Sequence, residues 1–134
     1  MWRLSIMANG TIAFDTLQTS GQITGTAKSL DTDYVVSGSA KSWVNFNGTS
    51  TLAVRDSLNT TTVTDNSTGN YTQNHTNSFS AGEYSGTVAV SLTSHHSELD
   101  AINAANINII SRANSGSGTG DSDIVCISNI GDLA

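Results

Sequence analysis

The sequence predicts an all-β fold, a small antiparallel β-sandwich of jelly-roll-like type carrying an extended N-terminal arm. Three observations predict it. Short runs of alternating apolar and polar residues recur along the chain at roughly 8–12-residue spacing, the pattern of a sandwich or barrel. Ser, Thr and Asn make up 51 of the 134 residues and proline is absent; Thr suits pleated strands, while Ser and Asn suit turns. Two Trp, three Tyr and three Phe, with many Val, Ile and Leu, supply a core of the kind that disordered chains lack.

The elements follow in order. Residues 1–33 read as an arm or anchor, small, polar and rich in Thr and Gly, with Ile12, Phe14 and Leu17 as a short apolar patch. Residues 34–134 read as a single sandwich domain. Asp33-Tyr34-Val35-Val36 is expected as a short strand, because β-branched and aromatic residues favour the pleat. Lys41 to Phe46 is a strand stopped by Asn47-Gly48, a strong hairpin turn. Thr51 to Arg55 follows at hairpin distance, with Leu52 and Val54 on one face and Ala53 and Arg55 on the other. Thr60 to Thr64 and Asn70 to His75 form a second hairpin around Asp65–Gly69, where a late Gly supplies a positive φ. Glu83 to Leu92 is a longer strand with Tyr84, Val88, Val90 and Leu92 on one face. Ala101 to Ile110 reads as a strand in its second half. Asn114 to Asp121 is expected as a mobile Gly/Ser linker, and Asp123 to Ser128 as the last strand. The count is seven to nine strands.

Composition also excludes. Charged residues are 12% and the net charge is −6. Five scattered basic residues cannot track a phosphate backbone, so nucleic acid is not an expected partner. No apolar run reaches the roughly 20 residues of a membrane-spanning helix, so no membrane partner is expected either. A single cysteine rules out an internal disulfide framework, and Cys126, in an apolar run, is expected as a small buried hydrophobe. The opening seven residues lack the apolar stretch of a signal peptide, and the six Asn-x-Ser/Thr sequons, at Asn9, Asn47, Asn59, Asn66, Asn70 and Asn74, are read as composition.

The chemistry-bearing candidates are few. His95-His96-Ser97-Glu98-Leu99-Asp100 is the one dense cluster of metal-capable side chains. On a helix His96 and Asp100 would share a face and could hold a metal; the plainer reading is a polar loop between strands, and no metal or cofactor is expected. Asp15, Asp56, Asp65 and Glu83 sit in or beside turns, where carboxylates support local hydrogen bonds. No nucleophile elbow marks a catalytic serine. Gly116-Ser117-Gly118-Thr119-Gly120 lacks the Lys and the following helix of a phosphate cradle. Trp43 and Phe46 have opposite strand parity, so one of them lies at a bulge or a subunit contact, unless the strand is buried on both faces.

Ala40–Thr49, Leu52–Asn59 and Val63–Thr72, reading AKSWVNFNGT, LAVRDSLN and VTDNSTGNYT, resemble a module of tailed-bacteriophage virion proteins, especially those of marine phages. The opening Met7–Ile23 is similar to the short arm that precedes this module, and Ile124–Ile127 with Gly131–Ala134 to its C-terminus. The resemblance implies a β-rich structural protein of the virion, a homotrimer without enzymatic activity and with no catalytic residues to transfer. It departs at Gln73-Asn74-His75, where members carry Val-Asn-Phe. The function expected from it is a tail-fibre, tip or short-appendage module, held on other virion proteins through the arm and touching a host-surface glycan or protein. The alternative is a capsid decoration or head-fibre protein. A small hydrolase or lectin-like enzyme acting on the host wall is the third reading; as a hydrolase it would rest on His95 or His96.

Overall fold

The computed structural model describes residues 32–116 and 118–134. It holds one short helix and eight strands: α1 (Thr32–Gly38), β1 (Ala40–Asn47), β2 (Ala53–Leu58), β3 (Thr60–Ser67), β4 (Asn70–His75), β5 (Ser85–Val90), β6 (His95–Asn103), β7 (Asn106–Ala113) and β8 (Val125–Ile130). All pairings are antiparallel, and the strands form two four-stranded sheets, β2-β1-β8-β5 and β3-β4-β7-β6. The expected all-β antiparallel sandwich is what these strands build. The arm, its apolar patch and Asp15 lie, up to residue 31, outside the described residues.

The centres of the two sheets face each other. Alternation sends Val44 and Phe46 of β1, Val125 and Ile127 of β8, Tyr71 of β4, and Ile107 and Ile109 of β7 into one core, the period-2 consequence of the pleat. Phe46 meets Tyr71 edge-to-face across the sheets at 5.1 Å. The edge strands are mostly solvated. β2 is exposed along nearly its whole length and β6 along much of it.

Both expected hairpins form. β1 and β2 pair with a register shift at Asn45/Phe46 that leaves Arg55 as the extra residue. β3 and β4 turn through Gly69 at φ 67°, where a Cβ would stand 2.7 Å from the Gly120 amide nitrogen. β2 and β3 are separated only by Asn59, whose φ of 51° turns the chain from one sheet to the other.

Four expectations are corrected. Asp33–Val36 is helix, not strand: none of the described strands pairs with it, so the chain satisfies itself locally and Ser39 Oγ donates back to the Val35 carbonyl at 2.8 Å. His95–Asp100 is neither helix nor loop but the first two-thirds of β6, paired with β7. Asn114–Asp121 is no free linker among its described residues. It folds back along β7, with the Ala113 amide donating to the Gly118 carbonyl and the Gly120 amide to the Ser111 carbonyl. Cys126 is exposed, because Val125 and Ile127 take the inner face of β8.

Candidate functional site

The core has two chemically different ends. The Phe46–Tyr71 end is largely apolar. Toward the other end the same inward-facing positions carry Ser42 on β1, Asn129 on β8, and Gln73 and His75 on β4, all buried. Buried polar groups are stabilised by hydrogen bonds, and these bond to one another across the sheets, with Asn129 Oδ1 alone among their atoms left without a partner. Gln73 Nε2 donates to Ser42 Oγ and to Thr60 Oγ1, both at 2.7 Å. Asn129 Nδ2 donates to Gln73 Oε1 at 3.0 Å and to Ser42 Oγ at 3.2 Å. His75 Nδ1 lies 3.2 Å from Ser42 Oγ, and its Nε2 lies 3.1 Å from the Tyr84 hydroxyl. Burial lowers the His75 pKa and pushes that of Tyr84 up to about 12.

His75 also does the packing work of an aromatic. Its ring stands edge-on to Phe79 at 5.0 Å and to Tyr84 at 5.7 Å, and those two rings stack at 4.0 Å. Thus His75 fills a place in an aromatic cluster. Ser42 and His75 resemble a nucleophile and base only in distance. Ser42 is fully buried, and among the described residues no carboxylate hydrogen-bonds His75, so the pair links the sheets and presents nothing to a substrate.

A second polar node closes the opposite end. Asp121 Oδ1 accepts from the Gly69 amide at 2.7 Å and from the Tyr71 hydroxyl at 2.8 Å. Burial first, then the hydrogen bond to Asp121, raises the Tyr71 pKa strongly. Neither Tyr71 nor Asp121 stands out in the sequence as a pair, because they lie fifty residues apart.

His95 and His96 separate onto opposite faces of β6. His96 bonds Glu98 at 3.1 Å and Asn114 at 3.0 Å, and Arg112 Nε reaches the other Glu98 oxygen at 2.7 Å. Hydrogen bonding to Arg112 and then His96 lowers the Glu98 pKa, and hydrogen bonding to Glu98 and then Asn114 raises that of His96. No group of three or more His, Cys, Asp or Glu side chains that could hold a metal occurs among the described residues. Asp56, Asp65 and Glu83 are exposed and scattered; Asp56 bonds the next backbone amide.

The outward faces of the sheets differ. On β3-β4-β7 stands an amide and hydroxyl lattice. Asn66 Nδ2 donates to Asn70 Oδ1 and Thr72 Oγ1, Asn108 Nδ2 to the same two atoms, and Asn74 Nδ2 to Thr62 and Thr64. The outer face of the first sheet is less polar. Trp43 lies there between Leu58 and Ser128, and Cys126 between Asn45 and Ala89. Leu58 is 48% exposed and Ile130 39%, and Val35 and Val36 of α1, just ahead of β1, are 45% and 55% exposed. Phe46 therefore belongs to the core and Trp43 to this outer face, and the register shift falls between them.

The described residues define a two-sheet β-sandwich with a cross-linked polar interior, one polar face and one partly apolar face. No family model, curated protein or solved structure matches the chain.

Proposed function

We propose that the chain is a structural component of a tailed-bacteriophage virion: a tail-fibre, tip or short-appendage module that assembles as a homotrimer and is held by other virion proteins through residues 1–33. The observation that carries this reading is the half-exposed Leu58 and Ile130 beside Trp43 on the outer face of the first sheet, with the half-exposed Val35 and Val36 on the helix that precedes it. Apolar residues grouped on one face mark a surface that neighbours cover. A seven-residue helix is too short to hold itself in water and gains stability from such cover. The stretch Ala40–Thr72, which resembles the phage module, supports the reading from another side: it builds β1 to β3 and the start of β4, half of each sheet. The jelly-roll-like part of the expectation draws on one pairing, β1 beside β8. Host contact, in this reading, falls to the polar loops and to the amide and hydroxyl lattice, groups suited to a glycan or a protein surface.

Analytical ultracentrifugation of the full chain at micromolar concentration tests the assembly. A trimer that dissociates when Val36 and Leu58 are both replaced by Asp is expected, and a wild-type monomer refutes it. Quantifying copies per purified particle tests the location: a few per tail support the appendage, and an abundance matching the head shell moves the protein to the capsid surface. Absence from particles overturns the virion reading altogether.

A further inference from the structure

We propose that His75 is an acid-sensitive pin: protonation of its ring releases residues 76–84 together with residues 131–134 from one end of the sandwich, while the Phe46–Tyr71 end stays packed. This inference does not depend on the virion reading.

Hydrogen accounting around the ring carries it. The Tyr84 hydroxyl lies 3.2 Å from the Asn103 carbonyl and 3.1 Å from the Asn106 carbonyl. Carbonyls only accept, so the phenolic hydrogen goes to one of them and the phenol oxygen accepts from His75 Nε2–H. The neutral ring then has Nδ1 as its acceptor, and Ser42 Oγ–H donates to it. Ser42 Oγ is already an acceptor twice over, from Gln73 Nε2 and Asn129 Nδ2.

Protonation turns Nδ1 into a donor aimed at Ser42 Oγ. The serine hydrogen must then find another acceptor, but the two remaining groups bonded to Ser42 Oγ are both amide NH2 groups. Reversing them requires Gln73 and Asn129 to flip together, and both are fully buried. The charge also finds no counter-ion. The ring touches Ser42 of β1, Phe79 and Tyr84 of the crossing segment, and lies beside Thr60 of β3. Of these Tyr84 alone titrates, and its raised pKa keeps it neutral. The carboxylates nearest in sequence to this cluster, Glu83 and Asp132, are exposed. A lone buried charge is costly enough that the surroundings give way.

The same contacts identify what gives way. Phe79 and Tyr84 pack their rings on His75, and both belong to the segment that crosses this end. That segment holds residues 131–134: the Ser80 amide donates to the Asp132 carbonyl, the Ala134 amide to the Ser78 carbonyl, and Phe79 bridges Leu133. Its other anchors are the Phe79 amide on the Ala104 carbonyl and contacts with Asn59. Most of its remaining residues are exposed, as expected of a unit that opens locally.

The sign follows from linkage. The closed state keeps the ring neutral, and the open state takes a proton near the ordinary histidine value of about 6.5. Each pH unit below that value raises the open population about tenfold until the closed-state pKa is reached.

Amide hydrogen exchange of the full chain, corrected for the intrinsic pH dependence of exchange, tests the proposal. Protection at 76–84 and 131–134 is expected to fall as the pH drops through the histidine range, with β1 and β4 near Phe46 and Tyr71 unchanged. His75→Phe keeps the aromatic packing and removes the proton, so it is expected to abolish the pH dependence. Uniform loss across all strands, no pH-dependent loss in the wild type, or the same loss in His75→Phe overturns the proposal. Should that variant not fold, the wild-type ring decides by NMR: a neutral Nε2–H tautomer persisting below the ordinary histidine pKa supports the pin, and an ordinary titration refutes it.

Discussion

Replacing Gln73 by Leu isolates the contribution of the interior network. The side chains are similar in size, so no large cavity opens, and what disappears is three hydrogen bonds: those to Ser42 and Thr60 and the one from Asn129. At about 1 kcal/mol each, their loss amounts to about 3 kcal/mol. It does not rise further, because each former partner keeps another bond. Ser42 still accepts from Asn129, and Thr60 Oγ1 still has the Trp43 carbonyl at 3.2 Å. A domain of this size loses about 4–5 °C per kcal/mol, so the thermal midpoint should fall by roughly 12–15 °C. Reversible thermal and urea unfolding of the full chain, followed by far-UV circular dichroism and tryptophan fluorescence, reads the change. A triple variant, Ser42→Ala with Gln73→Leu and Asn129→Leu, is expected to lose less than the sum of the three single changes, since it removes polar groups together with their partners. A Gln73→Leu protein within about 0.5 kcal/mol of wild type, the range of an inert surface change, would refute the claim that this amide ties the sheets together.

Three further outcomes are expected. Gly69→Ala should cost more than about 2 kcal/mol in urea unfolding, because a non-Gly residue must hold the left-handed conformation while its Cβ meets the backbone of Gly120 and Ser111. Tyr71→Phe should lose about 1.5–3 kcal/mol, the range for a hydrogen bond to a charged group, and a double-mutant cycle with Asp121→Asn should show the two changes to be non-additive. The His96–Glu98–Arg112 cluster should add a small, salt-sensitive stabilisation confined by pH. The lowered Glu98 pKa makes its part present above the ordinary carboxylate value and lost as the pH falls through the lowered one. The raised His96 pKa makes its part present below the ordinary histidine value and lost as the pH rises through the raised one. Comparing the stability profile of Glu98→Gln with wild type checks both limbs.

Much of the fold was legible in local pattern. Asn47-Gly48 marks the end of β1, though the positive φ of that loop falls on Ser50 at 59°, and the late Gly69 turns β3 into β4 at φ 67°; alternation along 41–46 and 70–75 determines which side chains share a face. The errors fall where a neighbour decides. Tyr34-Val35-Val36 has strand propensity but pairs with none of the described strands, and becomes helix. His95–Asp100 is polar enough for a loop, yet β7 supplies the ladder that makes it an edge strand. Cys126 sits in an apolar run, but the parity of β8 turns it outward. Of the candidate residues, His96 meets Glu98 two positions on rather than Asp100 four positions on, because the segment adopted a period of two rather than 3.6.

The amino-acid sequence by itself determined the class of structure, the hairpins and the alternation of faces along the strands, since these depend on short-range sterics and on the two-residue period of the pleat. Only the tertiary structure decided that Ser42, Gln73, His75, Tyr84 and Asn129 meet, and that Tyr71 finds Asp121. Those contacts join residues that are mostly tens of positions apart, and hydrogen-bond partnership across two sheets depends on how the sheets are stacked and registered, a quantity no local stretch of chain encodes.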